Sequence, residues 1–266
     1  MKNVIILGSV RSGTSMLTAT FRETEAYFGE DIMSPTVSNP YGYYECHKIN
    51  RLNNQIIRKI IYRKAQFPLD RISRYFRPRI YRDKRCLMLA APRHVPDISL
   101  SNKLINEMRS ITSHSPLCLK DPRFSVTLPF WQPFLPQNTC FLVAFRAPFR
   151  TVDSMLRNAR EIYDPPLPLD ESWGLRLWYR NYRRLLYQFS NPENWFFVHD
   201  ELMFSGEALP VLEKFVETDL NYDQINPLIR RSQSEAVQPS SQLRKQCLTL
   251  FEALKQRSRS DIQRFA

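Results

Sequence analysis

The chain has 266 residues, 43% of them hydrophobic, and neither a Gly/Ser-rich or acidic linker nor an internal repeat, which predicts a single α/β domain over residues 1–266. No apolar run approaches the roughly 20 residues that span a bilayer, and five scattered cysteines (Cys46, Cys86, Cys118, Cys140 and Cys247) without a C-X2-C pair argue against a disulfide framework and a zinc site, so the expected location is the cytoplasm. Lys and Arg number 38 against 26 Asp and Glu, a formal net charge of +12 that is concentrated in one stretch.

The first predicted element is a short strand over residues 3–7, followed at once by Gly8-X4-Gly13 and then Thr14-Ser15. Backbone N–H groups converge on an anion only where no Cβ intervenes, and a predicted helix over 16–27 adds its positive end, so the loop reads as a phosphate cradle. A nucleotide-hydrolysing loop places lysine directly after the second glycine and gives the next hydroxyl to magnesium. Here Thr14 stands in the lysine position and the basic residue, Arg11, lies inside the loop.

Next along the chain, Asn39-Pro40-Tyr41-Gly42-Tyr43-Tyr44-Glu45-Cys46-His47 leads into helical spacing at Ile49, Leu52, Ile56 and Ile60. Residues 51–85 carry twelve Lys or Arg against Asp70 and Asp83, a net of +10, interleaved with Tyr62, Phe67, Tyr75, Phe76 and Tyr81. This basic helical insertion, over about 47–85, suits an anionic polymer, a membrane surface or nucleic acid; equally, it suits a solvated segment whose basic stems cover apolar surface. Further strands are predicted over 86–90, 116–119, 139–145 and 195–199. Helices are predicted through Leu104, Met108 and Ile111, through Trp173, Leu177 and 181–185, and over 210–216 and 243–254. The alternation implies βαβ units in a three-layer αβα fold with a central parallel sheet of about five strands, a helical C-terminal part over about 203–266, and ligands at the carboxyl ends of the strands.

Two of those strand ends carry further polar groups. The strand over 139–145 runs into Arg146-Ala-Pro148, and Ser154 follows eight residues after the arginine, about two helical turns on. An arginine and a hydroxyl so placed can hold one phosphate from two sides. Lys120-Asp121-Pro122-Arg123 follows the strand over 116–119.

Arg11-Ser12-Gly13-Thr14-Ser15 resembles the 5′-phosphosulfate loop of sulfotransferases, and Arg146-X-Pro with Ser154 resembles their 3′-phosphate motif. The two in this order match the anchors by which that family grips both ends of 3′-phosphoadenosine-5′-phosphosulfate (PAPS), and the resemblance covers roughly residues 3–202. It implies a P-loop-like fold, PAPS as co-substrate, no metal, and a hydroxyl-bearing acceptor. Arg11, Ser12, Gly13, Thr14 and Ser15 are expected at the 5′ end, and Arg146 and Ser154 at the 3′ end. Lys120, with Arg11, is assigned to the sulfate and bridging oxygen, an ion pair of Lys120 or Arg123 with Asp121 being the alternative.

Cytosolic members carry a histidine base two residues after the equivalent lysine, where this chain has Pro122. The segment from Asn39 to Glu45 instead resembles the N-P-X-G-X-X-E motif of bacterial sulfotransferases. Glu45 is the expected general base, with His47 as rival and a non-catalytic carboxylate as the third option. His94 could line the acceptor site but is read first as a loop histidine without chemistry, His114 and His199 are read as structural, and Arg230 and Arg231 as covers for adenine. The acceptor is expected to be a carbohydrate, with an anionic glycan charge-matched to the basic insertion as one form of it. Two other readings compete: a P-loop small-molecule kinase, which requires magnesium, and a nucleic-acid or anionic-surface binding protein, which requires steep salt dependence.

Overall fold

Strand β1 (Asn3–Gly8) is buried at all six positions, and its side chains alternate between two cores: Val4 and Ile6 enter one, Ile5 and Leu7 the other. A computed structural model of the chain describes residues 1–35, 42–64, 84–162, 169–189, 193–225 and 241–266. Among these, three more strands pair in parallel: β2 (Cys118–Lys120), β3 (Thr139–Phe145) and β4 (Trp195–His199), in the order β2-β1-β3-β4. Each repeats the alternation of β1, as Phe141, Val143 and Phe145 face one core and Cys140, Leu142 and Ala144 the other. Runs of apolar residues without a polar face therefore form a sheet covered by helices on both sides, as expected.

One layer holds α1 (Thr14–Ala19), α8 (Asp200–Phe204) and α9 (Leu209–Val216). The other holds α2 (His47–Lys64), α3 (Lys84–Ala90), α4 (Asn102–Thr112), α5 (Phe124–Trp131), α6 (Pro148–Ile162) and α7 (Glu171–Arg184). The long α10 (Gln242–Phe265) closes the β4 edge, sending Cys247, Leu250 and Leu254 into one core and packing Ile262 and Phe265 against the other. Ile49, Leu52, Ile56 and Ile60 form the buried face of α2, as their spacing predicts.

Three expectations need correction. Residues 86–90 are helical, not a strand, so the described sheet has four strands rather than about five. The run Cys-Leu-Met-Leu-Ala has no β-branched residue and is rich in strong helix formers, with Arg85, Leu87 and Met88 turned inward. The helix after the loop ends at Ala19 instead of continuing to Tyr27, because Thr20 and Thr24 donate their hydroxyls to the carbonyls of Leu17 and Phe21 and turn the chain. Finally, β2 includes Lys120, which therefore leaves the sheet edge from within a strand. Residues 65–83 of the basic insertion, and residues 226–240 with Arg230 and Arg231, lie outside the described residues.

β1 feeds α1 on one side of the sheet, and its neighbour β3 feeds α6 on the other. A crevice therefore opens between the carboxyl ends of these two strands, the switch point at which α/β sheets bind ligands.

Candidate active site

The loop after β1 is shaped by its glycines. Gly8 has φ 148°, and a Cβ there would meet the Ala144 carbonyl of β3 at 2.5 Å, so only glycine lets the loop leave this close to its neighbour strand. Gly13 has φ 94° and nothing within 4 Å of where a Cβ would stand; Arg11 is also left-handed, with φ 64°. Left-handed residues spaced this way turn backbone N–H groups into a concavity, and the open side at Gly13 leaves room for an anion. The loop is braced from beneath by Tyr182 on α7, whose hydroxyl accepts from Ser9 N (3.2 Å) and donates to Ala144 O (2.8 Å). Burial pushes that phenol well above its ordinary pKa, so it stays a neutral brace.

The side chains divide into those turned into the protein and those turned to the crevice. Ser12 is fully buried and its hydroxyl is committed to Ser9 O (2.6 Å) and Ala144 O (3.3 Å), so only its backbone is available to a ligand. Thr14 is also buried. Ser15 faces across the crevice, its hydroxyl accepting from Lys120 Nζ at 3.2 Å and donating to Tyr43 O at 3.3 Å.

The two predicted anion anchors meet. Arg11 Nε donates to Ser154 Oγ at 3.1 Å, joining the loop to the second turn of α6 across 143 residues of sequence. Arg146, at the end of β3, keeps its carbonyl bonded to Trp178 Nε1 (3.2 Å), while its Nε lies 3.2 Å from Asp200 Oδ2. Asp200 follows β4, and Oδ1 of the same carboxylate lies 3.4 Å from His199 Nε2. Sequence reasoning missed Asp200, although its place one residue beyond a buried strand puts it at the ligand edge.

Lys120 and Glu45 form the deepest part of the site. Lys120 Nζ lies 2.9 Å from Glu45 Oε1 and 2.8 Å from Tyr43 O, with both side chains almost wholly buried. Glu45 Oε2 accepts from Asn50 Nδ2 (3.3 Å) and lies 3.9 Å from Arg123. Arg123 is fixed in turn by both oxygens of Asp121 at 3.0 Å and by Asn50 Oδ1 at 2.8 Å. Of the two pairings weighed for Asp121, the structure has the Arg123 one. His47, by contrast, is exposed at the start of α2, two residues from Glu45 and turned outward. His94 is exposed and lines a separate cavity.

No protein-family model matches the chain, and no curated protein matches it by sequence. Solved structures do. The fold is similar to the sulfotransferase domain of the olefin synthase from Synechococcus PCC 7002, over 96% of each chain, at 14% identity and a TM-score of 0.50. Sulfotransferase STF9 from Mycobacterium avium matches over 99% of this chain and 76% of its own, at 16% identity and a TM-score of 0.47. The chain thus has the α/β fold of bacterial sulfotransferase domains.

Proposed function

We propose that this protein is a sulfotransferase that moves the sulfuryl group of PAPS to a hydroxyl, with a carbohydrate as the first candidate acceptor. The observation that carries this reading is the convergence on one crevice of the glycine-framed loop, Arg11 with Ser154, and Lys120 with Ser15, all at the switch point between β1 and β3. PAPS suits these groups: the concavity at Gly13 suits a 5′-phosphosulfate, and a 3′-phosphate would draw Arg146 from Asp200 and Ser154 from Arg11.

In this reading the loop N–H groups and Arg11 hold the phosphosulfate and Ser15 orients it. The acceptor oxygen attacks sulfur as the bond between sulfur and the bridging oxygen breaks. The acceptor proton passes to Glu45, and the electron pair left on the bridging oxygen is stabilised by Lys120 and Arg11. The two catalytic roles are coupled, because Lys120 can turn to the bridging oxygen only by loosening its bond to Glu45, which frees the carboxylate to take a proton. Glu45 is preferred to His47 because it pairs with Lys120, which bonds Ser15 of the loop, whereas His47 is exposed at the start of α2.

The test is the 3′-phosphate. Arg146→Ala should weaken adenosine 3′,5′-bisphosphate by about tenfold or more while changing 5′-AMP little, measured by calorimetry. Equal losses for both nucleotides would remove Arg146 from the 3′ end.

A further inference from the structure

Outside the crevice, a groove of about 650 Å³ runs along the outer face of α7 toward the start of α10. Its walls carry Arg93, Arg176, Arg180, Arg183 and Arg184, with Tyr179 among them. None of its lining residues belongs to the donor loop or to the group Glu45, Lys120, Arg146 and Ser154.

Among the described residues the positive charge here outnumbers its counter-ions. Glu171, the carboxylate on the walls, is already held by Arg244 through both oxygens at 2.7 Å. Among the described residues no carboxylate pairs with the five arginines. Arg184 is 2% exposed and donates to two neutral carbonyls, Ser125 O (3.1 Å) and Pro92 O (2.9 Å), while its Nε has no partner. Arg180 donates to Leu89 O at 2.5 Å. Burial first, and then the neighbouring arginines, lower the pKa of both guanidiniums, that of Arg184 to about 10. Gathering like charges without counter-ions is unfavourable, and an anion in the groove relieves it.

Spacing selects among anions. Arg176, Arg180 and Arg183 share one helix face and spread over about 10 Å along its axis, more than one phosphate covers. Tyr179 stands between them, and Leu175 and Leu243 add small apolar walls suited to sugar rings. A second cavity, of about 780 Å³, shares Arg93 and Arg180 and adds Arg63, His94 and Asp97.

We infer that the α7 groove is a binding site for an anionic oligosaccharide bearing several sulfate or carboxylate groups. The site stands on its own charge and does not depend on the sulfuryl-transfer reading. Calorimetry on the full chain with a heparin-derived hexasaccharide, uncharged maltohexaose and linear polyphosphate tests it. The hexasaccharide should bind, weaken steeply with salt, and outcompete polyphosphate, while maltohexaose should not bind. R93S/R176S/R183S, which alters exposed or unbonded positions, should weaken the hexasaccharide by about tenfold or more and leave adenosine 3′,5′-bisphosphate within about twofold; Arg176→Glu alone should act in the same direction. Hexasaccharide affinity unchanged in both variants, absence of binding by the wild type, or polyphosphate binding at least as tightly overturns the inference. Bisphosphate binding in the same preparations reports separately on the donor site.

Discussion

Lys120 donates to a carboxylate, a hydroxyl and a backbone carbonyl at once, and its pair with Glu45 is buried. Removing one partner of such a pair leaves the other charge buried and unpaired, at about 3–5 kcal/mol. Glu45→Gln and Lys120→Met should therefore each lower the unfolding free energy by about that amount, and the double variant should lose less than the sum, in urea denaturation. Additive losses would mean that the pair is not coupled in solution. Both single variants should also lose turnover while Glu45→Gln keeps bisphosphate affinity within a few-fold; retained turnover would move the base elsewhere. The residue types were legible in sequence because each follows a glycine-bearing loop or a strand end. Their pairing was not, since Glu45 and Lys120 are 75 residues apart and only the folded chain brings the segment before α2 beside the end of β2.

Between elements, the contact of α6 with α7 depends on Gly174, where a Cβ would stand 2.6 Å from Val152 Cγ1. Gly174→Ala gains up to about 1 kcal/mol of helix propensity but overpacks at about 1–3 kcal/mol. The expected outcome is net destabilisation that Val152→Ala relieves, read from denaturation midpoints; a stabilised single variant would show that the helices separate freely. The strands over β1, β3 and β4 were readable because buried parallel strands appear as continuous apolar runs. Residues 86–90 show the same feature with the opposite outcome, since so short a run carries no period and its leucines and methionine pack as well on a helix. The early end of α1 arises from threonine hydroxyls competing for backbone carbonyls, a local effect that apolar spacing does not register.

At the scale of the whole molecule, the sheet ends at β4, an edge whose backbone needs partners, and α10 supplies one. Asp261 accepts the Phe197 N–H at 2.9 Å and pairs with Arg257 at 2.7 Å. Burial, outweighing these bonds, raises its pKa above the usual carboxylate value. The folded state then binds the proton more tightly than the unfolded state, so stability falls as pH rises from the ordinary carboxylate value through the raised one. Asp261→Asn should abolish that fall in thermal melts across the interval, and an unchanged pH profile would contradict it. The α/β class and the crevice followed from alternating elements and from glycine and arginine at strand ends, whereas the strand order and the arginine groove on α7 required the folded chain.

No helix among the described residues is long and apolar enough to cross a membrane. In the proposed function the crevice between β1 and β3 takes a nucleotide with separate 5′ and 3′ anions. Titration of the wild-type chain with adenosine 3′,5′-bisphosphate, with and without magnesium and against ATP, separates this from a magnesium-dependent triphosphate site. One saturable bisphosphate site, indifferent to magnesium and tighter than ATP, is expected; tighter binding of ATP with magnesium would contradict the proposed function.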